Sequence, residues 1–333
     1  MTLEYALFHR YDAKIVVAAE RDMIAELEDL AEIYIPMRRV DGPLPGVWTV
    51  SCGREATPPD LGFQRLLEES PGEPLRETFV NAAARWIMLD FESREWQVQN
   101  TLRMIRNVLR VELYEARALF LHGAMVDVAG AGVAYLGHKC AGKTSSTLAA
   151  LSQEGVNFVN NDDLTVLPWL GTPRTLGWPR VVGIRFDTVD ALEAAHPRMR
   201  DLRHDLRHPS NRIENPPRYF FYPKELAAAC GRAVSPEADL RFFVFPRFLP
   251  RDSRGAYLEP LPKAEALELL RQNLEPVPDK YNLFLHDYYT FPDRAYLNEQ
   301  LEALVERVPA YVLHQSFSSL VDGAKLIVSL ATS

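Results

Sequence analysis

Residues 119–166 read LFLHGAMVDVAGAGVAYLGHKCAGKTSSTLAALSQEGVNFVNNDDLTV. At the centre stands Gly137-His138-Lys139-Cys140-Ala141-Gly142-Lys143-Thr144, which fits G-x-x-x-x-G-K-[ST] at every fixed position. Glycines at that spacing let backbone N–H groups curl around phosphates. The lysine then reaches the terminal phosphates, and the hydroxyl that follows is offered to Mg²⁺. The β-rich run Val133-Ala134-Tyr135-Leu136 precedes the loop. A helix is expected over 144–154, ending at Gly155, so bound phosphates would sit on a helix N-terminus. An ordinary glycine-containing turn is the bland alternative, and the strand–loop–helix context argues against it.

Working outward, Leu121-His122-Gly123-Ala124-Met125-Val126-Asp127 and a Gly130-Ala131-Gly132 turn predict a β-hairpin feeding the loop. Downstream, Phe158-Val159-Asn160-Asn161 runs into Asp162-Asp163 after a single helix. Many P-loop proteins place the magnesium-holding Asp at the end of a strand further on. An LHG-x-x-V-D strand, the phosphate loop and a V-x-x-D-D strand end together resemble the HPr kinase/phosphorylase family. That family is related in fold to the ATP-dependent phosphoenolpyruvate carboxykinases. The resemblance covers residues 119–166.

It implies an α/β fold: a mixed-sheet P-loop kinase core of HPr kinase/phosphoenolpyruvate carboxykinase type. Before it stands a small N-terminal α/β unit. The expected domains are 1–92, a substrate-recognition candidate, and 93–333, the nucleotide-binding catalytic domain. ATP and Mg²⁺ are the expected cofactors. Gly137, His138, Lys139, Cys140, Ala141, Gly142, Lys143, Thr144 and Ser145 would bind the nucleotide. The resemblance also makes Asp162 the general base and Asp163, with Thr144, the metal partner, although the residues alone leave that order open. Two adjacent acids on a strand point to opposite faces, so they should have different tasks. His122 would lie on the neighbouring strand and hydrogen-bond Asp162, tuning its pKa. A satisfied core histidine is the bland alternative.

The family pattern has a metal-assisting Glu on a strand corresponding to Leu176-Gly177-Trp178-Pro179-Arg180-Val181-Val182-Gly183-Ile184. None stands there. Arg180 is the polar residue available, a candidate for a phosphate or a substrate carboxylate. Arg218 and Arg247 are further candidates. Arg218 closes an Arg- and His-rich stretch over 196–218, which reads either as a substrate-binding segment or as a solvated charged one. Its histidines, His196, His204 and His208, fit no zinc-ligand spacing.

HPr kinases phosphorylate a serine on a small carrier protein. Outside the shared core this chain is more similar to divergent HPr-kinase-like proteins of peptide-modifying pathways. The expected acceptor is therefore a Ser/Thr hydroxyl on a peptide or small protein, with a small-molecule hydroxyl second. A non-catalytic nucleotide switch would need neither Asp162 nor His122. A carboxykinase would need further metal-binding Lys and His residues that the chain does not evidently offer. The family's hexamers leave a homo-oligomer open.

Composition bounds the rest. The 333 residues are 47% hydrophobic and 25% charged, with 37 Lys plus Arg against 45 Asp plus Glu, a net charge of −8. That is globular composition, and its sign argues against nucleic acid as a general partner. Three scattered cysteines, Cys52, Cys140 and Cys230, suggest neither a disulfide framework nor a metal site. Met1-Thr2-Leu3-Glu4-Tyr5 lacks a basic start and an apolar run, so a cytoplasmic protein is expected, with no membrane partner.

Strands are expected over 3–8, 14–19, 32–36 and 47–51, and a helix over 21–30. The clearest helix spans 95–117, with Val98, Leu102, Ile105, Leu109, Leu113 and Ala116 at three- and four-residue steps. It is expected to pack on the nucleotide domain. Arg103, Arg106 and Arg110 sit off that stripe and read as a solvated face.

Overall fold

The computed structural model describes residues 3–58, 61–70, 72–192, 206–214, 216, 218–249, 255–275 and 282–333. The chain is mixed α/β and divides into two compact units. The first comprises Met1–Ala116, Arg207–Pro216 and Pro278–Thr290; the second comprises Arg117–Leu206, Pro217–Val277 and Phe291–Ser333. The division falls after Ala116 rather than at 92, because the long helix packs on the first unit's sheet.

In the first unit, seven strands form one mixed sheet. They are β1 (Leu3–Arg10), β2 (Ala13–Glu20), β3 (Met37–Val40), β4 (Trp48–Cys52), β5 (Gln64–Glu68), β6 (Arg76–Asn81) and β7 (Trp86–Leu89), in the order β3-β1-β2-β4-β7-β6-β5. Helix α1 (Arg21–Ala31) buries Met23, Ile24, Leu27, Leu30 and Ala31, the single apolar stripe its spacing predicts. The strand expected over 32–36 is instead a turn. Tyr34 and Ile35 donate their N–H groups to Ala31 O at 2.8 Å, so this apolar pair enters the core from the helix end. The strand begins only at Met37.

Helix α2 (Arg94–Glu115) starts at Ser93, whose hydroxyl accepts the Trp96 N–H. Its arginines do not form the solvated face expected of them. Arg110 is 3% exposed, and Arg103 donates to Glu73 at 3.0 Å from both terminal nitrogens. A helix covered nearly all round must bury some of its polar positions, and Arg103 is half-buried against its Glu73 partner.

The second unit carries β8 (Leu119–Leu121), β9 (Gly123–Val128), β10 (Ala131–Leu136), β11 (Val156–Asn160), β12 (Leu164–Leu167), β13 (Arg174–Leu176), β14 (Val182–Ile184), β15 (Tyr219–Phe221), β16 (Glu237–Phe248), β17 (Tyr257–Leu261) and β18 (Ala310–Gln315). β14 and β15 pair by themselves. The others form one mixed sheet, in which β9 and β10 are the expected antiparallel hairpin. β10 runs parallel to β16, and β16 parallel to β18, so the C-terminal ends of these three strands share one edge.

Helices in this unit are α3 (Lys143–Ala150), α4 (Phe186–Leu192), α5 (Pro223–Ala229), α6 (Lys263–Asn273), α7 (Arg294–Arg307) and α8 (Leu320–Thr332). Leu148 and Ala149 of α3 and Ala324 and Ile327 of α8 join Val126, Tyr135 and Phe158 of the sheet in one core. Fully burying each large apolar side chain contributes about 1.5–3 kcal/mol, so this layer holds the start of α3 firmly in place. Among the described residues no helix is long and apolar enough to cross a membrane.

Candidate active site

Three residues with positive φ shape the loop between β10 and α3: Gly137 at 144°, Cys140 at 70° and Gly142 at 99°. The first and last suit glycine. Cys140 has a side chain that disfavours this region, so the loop stores local strain. Ala141 N donates to His138 O at 3.1 Å, and Ser146 N donates to Gly142 O at 2.8 Å, opening the helix. Lys143 folds back across the turn, its Nζ donating to Gly137 O at 2.7 Å and His138 O at 3.1 Å. His138, Lys139 and Cys140 are exposed, whereas Lys143 and Ser145 are buried. Burial lowers the Lys143 ammonium from its ordinary pKa, against the opposing pull of Asp162 and Cys140.

The facing wall comes from the ends of β8 and β11. Leu121 pairs with Leu164, which brings His122 and Asp163 alongside each other. The four residues 160–163 then take four different positions. Asn160 is buried, its amide donating to Asp163 O at 2.5 Å and Leu176 O at 3.2 Å. Asn161 accepts the Thr144 hydroxyl at 3.1 Å. Asp162 sits at φ 74° and stays partly exposed. Asp163 is 1% exposed and forms an ion pair with Arg180. The two acids lie in the gap between β11 and β12 rather than along one strand, yet they do face different surroundings.

His122 feels all of these charges. Burial lowers its pKa first. Lys143 and Arg180 lower it further, while Asp162 and Asp163 oppose them. The expected hydrogen bond from His122 to Asp162 does not occur among the described residues. The carboxylate near its Nδ1 is Glu275, at 3.9 Å. Arg180 would lose basicity by burial, but Asp163 and Asp162 outweigh that and hold its pKa above the ordinary arginine value.

Of the other arginines, Arg218 is exposed and lies across Gly183, where an added Cβ would stand 2.4 Å from Arg218 Cδ. Arg247 is exposed near the end of β16, opposite His314. His196 and His204 lie outside the described residues. His208 is buried in the first unit, its Nδ1 accepting the Ser210 N–H at 3.2 Å.

Sequence reasoning missed three contributors. Asn273, at the end of α6, accepts the Gly137 N–H on Oδ1 at 3.1 Å and the His122 N–H on its backbone carbonyl at 2.7 Å. One buried residue thereby fixes the spacing between loop and histidine. Arg185 Nη2 reaches Cys140 Sγ at 3.3 Å. Phe248 packs on Gly142, where an added Cβ would stand 2.1 Å from Cε2. Nothing near these residues in the chain marks them out.

Mg²⁺ keeps several waters and takes one or two protein oxygens besides nucleotide phosphates. The Thr144 hydroxyl fits such a role. Asp163 fits it poorly, because its carboxylate is enclosed and already balanced by Arg180. Among the described residues no cluster of three or more His, Cys, Asp or Glu side chains could hold a metal by itself. No protein-family model matches the chain, and no curated protein matches it.

Proposed function

We propose that the chain is an ATP- and Mg²⁺-dependent kinase with a P-loop core of the HPr kinase type. It transfers the γ-phosphoryl group to a hydroxyl, with a Ser or Thr of a peptide or small protein as the acceptor. The observation that carries this reading is the strained loop at the head of α3, with Lys143 folded across it under the electrostatic pull of Asp162 and with neutral His122 close enough to feel both charges. Backbone N–H groups at 137–143 would hold the phosphates. Lys143 would offset charge on the oxygens of the group in flight.

Asp162 would take the acceptor's proton as its oxygen bonds to the γ-phosphorus. The bond from that phosphorus to the bridging oxygen of ADP breaks in the same displacement. Neutral His122, with its lowered pKa, suits a polar partner to the acceptor or to Asp162. Thr144 would hold the Mg²⁺, which supplies charge neutralisation to the phosphates when bound. Asp163 would keep Arg180 in place beside the reacting groups.

The test is mass-spectrometric phosphotransfer with ATP and Mg²⁺, offered a peptide fraction and a metabolite fraction, with Lys143→Ala as control. One phosphate gained on a peptide and lost in the control supports the reading and identifies the acceptor. A gain only among metabolites makes the acceptor a small molecule. ATP binding without transfer to either overturns the kinase in favour of a nucleotide switch.

A further inference from the structure

We infer that Phe248 and Phe317 form the platform on which the base of the nucleotide stacks, a reading that rests on the nucleotide site proposed above. In an open α/β sheet, ligands lie in the crevice outside the carboxyl ends of the parallel strands. Here those strands are β10, β16 and β18. β10 ends in the phosphate loop. β16 ends at Phe248, and β18 ends at Gln315, two residues before Phe317. The two rings therefore occupy the same edge as the loop, each on the next strand along.

Their geometry continues from the loop outward. Phe248 rests on Gly142, so close that only a glycine fits beneath it. The Phe317 ring centroid lies 5.0 Å from that of Phe248, with the planes tilted by 55°. Phosphates at the head of α3 would thus have one ring beside them and a second a ring-breadth farther out, on the side to which the proposal assigns ribose and base.

The support beneath Phe317 is rigid. Gln315 is fully buried and donates to Ser146 Oγ at 2.6 Å, which ties the end of β18 to α3. Leu249 N donates to Gln315 O at 2.8 Å, joining the ends of β16 and β18. Ser316 and Ser319 close the short turn that carries Phe317. Yet Phe317 itself is 57% exposed, a large apolar ring held in solvent on an anchored turn. Every nucleobase has a π-face, so such a ring binds bases by stacking whatever their hydrogen-bonding pattern.

The experiment measures dissociation constants of the full chain for ATP and for inorganic tripolyphosphate by calorimetry, in the parent, Phe317→Ala and Phe317→Tyr. The platform predicts that Phe317→Ala weakens ATP by about tenfold or more. Tripolyphosphate, which has no base, stays unchanged, and Phe317→Tyr restores ATP. ATP affinity equal in parent and Phe317→Ala overturns the platform while leaving the phosphate site standing. Equal losses for ATP and tripolyphosphate also overturn it, because the ring would then act on the loop rather than the base. If the parent binds neither compound, the nucleotide reading falls and the platform with it.

Discussion

Arg180 and Asp163 form an ion pair whose carboxylate is 1% exposed while the arginine is 37% exposed. The pair is asymmetric: the guanidinium already reaches water, whereas the acid is enclosed and depends on its partner. Arg180→Ala should therefore cost about 3 kcal/mol of stability, the low end for a buried charge left without its partner. Asp163→Asn should cost less. Adding Asp163→Asn to Arg180→Ala should recover part of the loss, a non-additivity that urea denaturation of the four proteins would read. Additive losses would mean that the pair is not coupled.

Asp162→Asn keeps the shape of the side chain but cannot take a proton. Transfer should fall by about 10²–10⁴-fold, the usual contribution of a general base, with ATP affinity nearly unchanged. Lys143→Ala should weaken both binding and transfer. Normal turnover in Asp162→Asn would remove it from the mechanism.

Gly142→Ala places a methyl group where the Phe248 ring already lies, at a backbone φ of 99°. The strain should reach about 1–3 kcal/mol and should loosen the loop, lowering phosphate affinity. Phe248→Ala in the same chain removes the collision but not the backbone strain. Thermal denaturation should accordingly show partial recovery.

Lys143→Met should raise the pKa of His122. Burial is the largest cause of its lowering and persists in the variant, but the next largest cause, the Lys143 charge, can be deleted. An NMR titration of the imidazole should show the midpoint moving up, toward the ordinary histidine value. A midpoint that stays put would place Lys143 too far from His122 to act with it.

His208 gives the first unit a pH dependence of stated sign. Burial chiefly, with Arg103 adding and Glu73 opposing, lowers its pKa to about 3 from 6.5. Its Nδ1 accepts the Ser210 N–H, so the fold requires the neutral ring. Above pH 6.5 both folded and unfolded chains hold it neutral, and its contribution is complete. Between 6.5 and about 3 the unfolded chain takes a proton that the fold refuses, so stability is lost as pH falls. By pH 4 the loss should reach about 3 kcal/mol. His208→Gln should remove that part of the difference in urea stability between pH 7 and pH 4, while carboxylates account for what remains.

Features whose physics is local could be read from the order of residues alone. The β9/β10 hairpin, the loop and the head of α3 are adjacent in the chain, and their glycines stand where positive φ is needed. The apolar stripe of α2 was legible for the same reason, because a 3.6-residue period is contained within the helix that it describes. Tertiary structure alone decided where that helix packs, and with it the unit boundary after Ala116. It decided too that Asp163 faces Arg180 and that Asn161 receives the Thr144 hydroxyl. Asn273 and Phe248 reach the loop, and Phe317 reaches Phe248, only because β16 and β18 pair in parallel beside β10 and α6 ends against His122. All three lie a hundred residues or more from the loop in the chain. Strand pairing, which no local pattern encodes, is what brings them to one edge.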